Sequence, residues 1–137
     1  MDITNSYFRA DNSAEPDPDT PPRIVRANET GQVEVSPGLR FRPVFGQSAL
    51  LNHVHFDPHT EVPMHHHPEE QMGTVLEGEL EFEMGGEIQV LHPGDVWVVP
   101  PNVPHAARTR DTPCVALDIF SPPRSGFREL IERASQV

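Results

Sequence analysis

The sequence predicts an all-β domain built from many short strands. Sixteen prolines and nine glycines are spread between short apolar runs, and both residue types interrupt regular structure. Several of these runs alternate apolar and polar residues, which is the pattern of a strand with one buried face. A length of 137 residues fits one domain that can bury a substantial core.

Residues 1–22 are predicted to form a flexible leader, and residues 23–137 a single domain. The leader interleaves acidic residues with prolines, and such a composition buries too little apolar surface to fold by itself. In the alternative interpretation, it is an arm that lies on a neighbouring subunit, with Tyr7 and Phe8 as anchors.

Short apolar segments bounded by turn formers give the predicted strands in order. The segments are 23–26, 32–35, 39–44, 48–56, 79–84, 88–90, 96–99, a segment that begins near residue 105, and 114–120. Gly85 and Gly86 provide a hairpin turn after the 79–84 segment, because glycine tolerates the positive φ that such turns require.

The end of the chain changes from strand spacing to helical spacing. Phe127, Leu130, Ile131 and Ala134 recur at intervals of three to four residues, which predicts one short C-terminal helix. Ser125 precedes this pattern and is the predicted N-cap, because its hydroxyl can accept from a free amide of the first turn.

Charge and composition exclude several classes of function. The chain has 21 acidic and 10 basic residues, a net charge of −11, whereas a nucleic-acid binder or a protein attracted to anionic lipid needs a basic surface. No apolar run is long enough to span a bilayer, and the N-terminal residues lack the pattern of a secretory signal. Cys114 is the only cysteine. We therefore expect a cytoplasmic protein without an intrachain disulfide.

A cluster of polar residues in the middle of the chain predicts a metal site. His65 and His67 are two residues apart, so on an extended segment their side chains point to the same side. Gln71 follows four residues later, and His105 is the best candidate for a fourth ligand. Imidazole and amide ligands would accept one divalent transition metal, namely Zn, Ni, Mn, Fe or Co.

The neighbouring histidines are assigned by strand alternation. His66 is expected to point away from the metal. His53 and His55 could line the barrel as substrate-binding groups, or they could be polar residues of the surface. A metal-free domain whose histidines only form hydrogen bonds remains the alternative to the metal site.

The neutral amide of Gln71 carries chemical information. It would leave the full positive charge on the metal, which favours Lewis-acid chemistry on a bound oxyanion over activation of O2. Glu69 or Glu70 could replace Gln71 as ligand if the loop were kinked.

Residues 59–78 follow a known motif, G-x5-H-x-H-x3,4-E-x6-G. His65, His67 and Gly78 fit it, while Gln71 stands at the acidic position and His59 at the first glycine. This is the first motif of the cupins, which the chain therefore resembles.

Residues 94–109 resemble the second cupin motif, G-x5-P-x-G-x2-H-x3-N. Gly94, Pro100 and His105 fit it, while Asn102 replaces the inner glycine and Thr109 the last asparagine. The resemblance covers roughly residues 40–120. It implies a small double-stranded β-helix (jelly-roll) barrel with one divalent metal in its mouth, usually paired into homodimers.

The segment DIFSPPR, residues 118–124, forms a second candidate site. Arg124 could bind a carboxylate or enolate with both arms of its guanidinium, and Asp118 could transfer a proton. Phe120 shares the face of Asp118. The alternative is an ordinary ion pair at a strand end, with Phe120 in the core.

This segment resembles a subgroup of single-domain cupins that open unsaturated uronates from pectin or alginate breakdown. The resemblance implies catalytic roles for Asp118 and Arg124, and substrate binding by Phe120 and Arg124. It also implies Gln71 as a metal ligand. Small cupin cyclases of polyketide pathways are similar in the metal stretch.

We therefore expect a metal-dependent cupin enzyme that catalyses a non-redox rearrangement of a small oxygen-rich substrate. Ring opening, tautomerisation, cyclisation and elimination all fit, on an unsaturated uronate or a polyketide-like enol. The alternatives are an iron-dependent dioxygenase and a non-catalytic cupin that binds a metal or a metabolite.

Overall fold

The computed structural model describes residues 7, 8 and 14–136. Half of the predicted leader, residues 1–6 and 9–13, lies outside the described residues, and its part from 14 to 22 forms turns and irregular structure that is exposed. Tyr7 and Phe8 are exposed as well. Among the described residues, none of the helices has the length and apolar character that crossing a membrane would require.

Residues 14–136 form ten strands and one helix. The strands are β1 (Val33–Ser36), β2 (Leu39–Phe45), β3 (Leu50–Phe56), β4 (Glu61–His65), β5 (Glu70–Gly78), β6 (Leu80–Met84), β7 (Glu87–Leu91), β8 (Val96–Val99), β9 (His105–Arg108) and β10 (Cys114–Ser121), and the helix is α1 (Phe127–Ala134).

The strands form two antiparallel sheets that enclose one core. The larger sheet has the order β1-β2-β3-β10-β5-β8, and the smaller sheet has the order β4-β9-β6-β7. Their inner faces contribute Val54 and Trp97 from the first sheet and Leu80 and Phe82 from the second to a single buried cluster. The all-β prediction with a short C-terminal helix is therefore confirmed.

Two local predictions were wrong. Residues 23–26 form no strand. The N-cap of α1 is Gly126 rather than Ser125, and no side chain caps the helix. Gly126 has φ of 79°, a left-handed conformation that glycine adopts without steric cost, while the amide of Ser125 donates to the carboxylate of Glu69 at 3.4 Å.

The helix α1 covers one end of the barrel through its first residue. Phe127 is buried against Leu50 and Phe120, and its ring stacks on that of Phe41 with centroids 5.5 Å apart. Aromatic side chains bury large apolar areas and stabilise such contacts beyond burial alone. The start of α1 is thereby packed against side chains of β2, β3 and β10.

Backbone conformation explains which glycines of the two motifs this chain replaces by another residue. His59 and Asn102 occupy two glycine positions of the motifs, and both have positive φ, 56° and 65°. Gly78, which keeps its motif residue, has φ of 81°, and a Cβ there would lie 2.1 Å from the carbonyl oxygen of Pro113. The backbone is thus left-handed at all three positions. Only position 78 also requires the absence of a side chain, which is why it keeps glycine.

Cys114 provides a test of the closed core. It is 1% exposed, and burial raises its thiol pKa to about 11. At pH 8 only about one thiol in a thousand would be the reactive thiolate. We expect the folded protein to react with a disulfide reagent at least ~100-fold more slowly than the chain unfolded in guanidinium chloride, and faster as the pH approaches 11. Rapid labelling of the folded protein at pH 8 would contradict the burial of Cys114 in the core.

Candidate metal centre and its cavity

Three histidines from separate segments meet inside the barrel. His65 ends β4 and lies in register with His105, which begins β9, and His67 lies between β4 and β5. The potential ligand atoms of these three residues all lie within 4.8 Å of one another. The structure therefore places them where they could hold one metal ion.

Main-chain carbonyls orient all three imidazole rings. Each Nδ1 lies at hydrogen-bond distance from the carbonyl oxygen of a residue two positions away: His65 from Pro63 (2.7 Å), His67 from Glu69 (3.0 Å) and His105 from Val103 (2.8 Å). Because Nδ1 carries the proton that such a bond requires, the lone pair of each neutral ring is on Nε2.

The amide of Gln71 completes a group of converging lone pairs. Its Oε1 lies 3.1 Å from Nε2 of His67 and 3.0 Å from Nε2 of His105. If both Nε2 atoms carry lone pairs, these three acceptors repel one another unless a cation lies between them. The donor set of imidazole nitrogens and an amide oxygen fits a divalent transition metal.

Burial keeps the rings of His65 and His105 in the metal-binding form. Burial lowers the pKa of His105 to about 4 and also lowers the pKa of His65. Both rings are therefore neutral at physiological pH, which is the form that binds a metal.

Asp118 orients the Gln71 amide. Its Oδ1 accepts hydrogen bonds from Nε2 of Gln71 at 2.7 Å and from Nε1 of Trp97 at 3.1 Å. Because the amide nitrogen is held by the carboxylate, the amide oxygen must face the histidines. Burial raises the pKa of Asp118 to about 6 against the lowering effect of these two hydrogen bonds and of Arg124.

Gly73 makes room for the Trp97 ring. Gly73 lies in register with both Asp118 and Trp97, and a Cβ on it would come within 2.3 Å of the indole. We expect Gly73→Ala to lower the free energy of unfolding by roughly 1–3 kcal/mol, as overpacked cores do, and to weaken the hydrogen bond between Trp97 and Asp118. Chemical denaturation followed by tryptophan fluorescence measures the change. Gly31→Ala is the control, because a Cβ there meets nothing within 4 Å. Equal effects of the two substitutions would contradict this packing.

Arg124 and Phe120 both lie on the cavity wall with Asp118. Phe120 is buried and packs edge-on against the ring of His67, with centroids 5.6 Å apart. Burial lowers the pKa of Arg124, and the charges of Glu69 and Asp118 oppose that shift. Within residues 14–136, Arg124 has no ion-pair partner closer than 4.0 Å. The structure therefore does not contain the ordinary ion pair between Arg124 and Asp118 that the alternative expected at the strand end.

The cavity is small and mostly apolar. Its volume is about 60 Å³, enough for a few water molecules or a small polar ligand. Phe127 of α1 also lines it, so the first residue of the helix contributes to the cavity wall.

His53 and His55 do not line the cavity, and this correction follows from strand alternation. They are half-buried on the outer face of β3, whereas Leu50, Asn52 and Val54 point inward. The same alternation could have identified Asn52, because it shares the parity of the apolar residues. Sequence reasoning missed Asn52, and it also missed Trp97, for which the sequence carries no signal beyond a strand.

Glu69 and Glu70 are not placed to replace Gln71. Glu69 is buried, but its carboxylate lies 3.7 Å from Nδ1 of His67, on the side of the ring away from the converging Nε2 atoms. Glu70 is exposed, and so is His66.

Comparison with known proteins agrees with this architecture. A family described as "Cupin domain" matches residues 52–120, half of the chain. The chain belongs to the cupin family. This cupin is 40% identical over 72 residues to the H2HPP isomerase of Bacillus subtilis, covering 51% of this chain and 30% of that protein. It is 46% identical over 59 residues to the dimethylsulfoniopropionate lyase DddQ of Ruegeria pomeroyi, covering 42% of this chain and 29% of that protein.

A solved structure extends the similarity over the whole barrel. The structure of KdgF from Halomonas sp. superposes with a TM-score of 0.73 at 28% identity, covering 77% of this chain and 97% of that one. By contrast, the matches to the two curated relatives span less than a third of the length of either relative. The fold and the family of this chain are thus established, and the two curated relatives that it resembles carry the names of enzymes.

Proposed function

We propose that this cupin is a metal-dependent enzyme that catalyses a non-redox rearrangement of a small, oxygen-rich substrate that carries a carboxylate. Ring opening, tautomerisation, cyclisation and elimination belong to this class. The observation that carries the proposal is a carboxylate and a guanidinium on the wall of one cavity together with His65 and His105, two members of the three-histidine group.

In this proposal His65, His67, His105 and Gln71 hold one divalent metal. The metal would supply Lewis-acid polarisation of a substrate oxygen. The main-chain carbonyls that bind Nδ1 of each histidine would keep the rings directed at it.

Asp118 is the proposed proton carrier. Its Oδ1 is occupied by Gln71 and Trp97, while its Oδ2 accepts no hydrogen bond from residues 14–136. That second oxygen is therefore available to take a proton from, or return it to, a substrate carbon or oxygen. The hydrogen bonds on Oδ1 would hold the carboxyl group in place during the transfer.

Arg124 is the proposed anchor for the substrate carboxylate. Its guanidinium is partly buried on the cavity wall and has no ion-pair partner among the described residues. A bound carboxylate would accept hydrogen bonds from this guanidinium, which donates none to the described residues. Phe120 would form the apolar part of the same wall.

The relatives support this reaction class. Two carry the names of an isomerase and a lyase, which are enzymes of non-redox reactions. The substrate in the name of the lyase, dimethylsulfoniopropionate, is itself a small carboxylate.

Anaerobic turnover tests the proposal. The metal-loaded protein is incubated under nitrogen with an unsaturated uronate, an enol-containing polyketide analogue and dimethylsulfoniopropionate, and products are followed by mass spectrometry. We expect one class to be converted, with activity lost on chelation and restored by a divalent metal. Turnover that requires O2 would instead indicate the dioxygenase alternative. Binding without turnover of any class would indicate a non-catalytic cupin.

A further inference from the structure

Asn52 is a buried amide with an unused hydrogen-bonding atom. It is 1% exposed and lies on the inner face of β3, where it lines the same cavity as Asp118 and Arg124. Its Oδ1 has no hydrogen-bond partner among residues 14–136. A buried amide without a partner is destabilising, and native proteins retain few of them outside functional sites.

The position of Asn52 in the sheet explains why no neighbour satisfies it. It lies in register with Asp118 of β10 on one side and with Pro43 of β2 on the other. The side chain of proline carries no hydrogen-bond donor. The Asp118 carboxylate instead accepts from Gln71 and Trp97 on the far side of β10. The amide oxygen is therefore left without a donor among the described residues, in a side chain that lines the cavity.

We propose that Asn52 binds a hydroxyl or enol proton of the substrate beside Asp118. An amide oxygen recognises a hydrogen-bond donor, so the ligand would be a small hydroxy acid or enol acid, with its carboxylate on Arg124. This assignment rests on the proposed function and adds to it a group that selects for the hydroxyl. Sites that hydrogen-bond a substrate hydroxyl discriminate against analogues lacking it, because the polar group is then buried unpaired.

Two acids that differ by one hydroxyl test this assignment. Glycolate and acetate are titrated by calorimetry into the metal-loaded wild type, Asn52→Leu and Asn52→Ala. Glycolate can also chelate a metal, so the informative quantity is the change in the glycolate-to-acetate affinity ratio on mutation. We expect the ratio to fall roughly fivefold to tenfold in both variants, the amount that one hydrogen bond contributes, with acetate affinity changed less than about twofold. Gln89→Leu, an exposed amide on β7, is the matched control and should keep the wild-type ratio.

The stability of the metal-loaded variants provides an independent measurement. If the amide is unpaired in the folded protein, the apolar and nearly isosteric Asn52→Leu should unfold at the same or a higher denaturant concentration than wild type. Asn52→Ala covers the case in which leucine does not fit. An unchanged affinity ratio in the variants, or failure of both acids to bind, would overturn the assignment. The proposed function is judged separately by anaerobic, metal-dependent turnover, so either can fail without the other.

Discussion

His67→Ala is expected to abolish metal binding and turnover. The Nε2 of His67 lies 3.1 Å from the Gln71 oxygen, inside the three-histidine group. Loss of a residue that merely supports a ligand commonly costs 10-fold to 100-fold in metal affinity, so loss of the ligand itself should cost roughly a hundredfold or more. Metal content measured by mass spectrometry after dialysis should fall from one ion per chain to near zero.

The adjacent histidine provides a matched control for this prediction. His66 is exposed and projects away from the cavity, so His66→Ala removes the same chemical group from the next position along the chain. It should retain wild-type metal content and turnover. If the two variants lost metal equally, the assignment of the ligands by strand alternation would be wrong.

Asp118→Asn is expected to reduce kcat by roughly 10²-fold to 10⁴-fold, the range that general acid–base catalysis contributes. The asparagine oxygen can still accept from Gln71 and Trp97, so the metal site should keep its geometry and its metal. Steady-state kinetics and metal analysis of the same preparation measure both effects. Glu70→Gln, which neutralises an exposed carboxylate beside Gln71, should leave kcat unchanged.

Asp118→Ala distinguishes proton transfer from positioning. Alanine removes the acceptor that holds the Gln71 amide at 2.7 Å, so this variant should lose both kcat and metal affinity, the latter by roughly 10-fold to 100-fold. A variant Asp118→Asn that kept more than a tenth of the wild-type kcat would eliminate Asp118 as the proton carrier. Asp118→Ala with normal metal affinity would remove its role in orienting the amide.

Local pattern predicted much of this fold because strand alternation is a local property. The run from Glu79 to Met84 alternates every second residue, and the glycines that follow it form the expected turn. The HxH spacing similarly predicts that His65 and His67 share a side. The same rule applied to β3 places Asn52 on the buried face and His53 and His55 on the outer face.

Local strand alternation could not predict the contacts between strands that are distant in the sequence. The hydrogen bonds from Gln71 and Trp97 to Asp118 join β5, β8 and β10, and their formation depends on β10 lying between β3 and β5. The predicted homodimer, the compartment and the role of the leader stay predictions.

Sequence alone determined the β architecture, the cupin motifs and the side chains that could bind a metal, because these depend on spacing along one strand or turn. Only the tertiary structure decided which way each polar group points inside the barrel. Asp118 proved to hold the Gln71 amide, and the side-chain oxygen of Asn52 proved to have no hydrogen-bond partner among the described residues. The physical reason is that a buried polar group takes its role from whichever donor or acceptor faces it, and that partner comes from another strand.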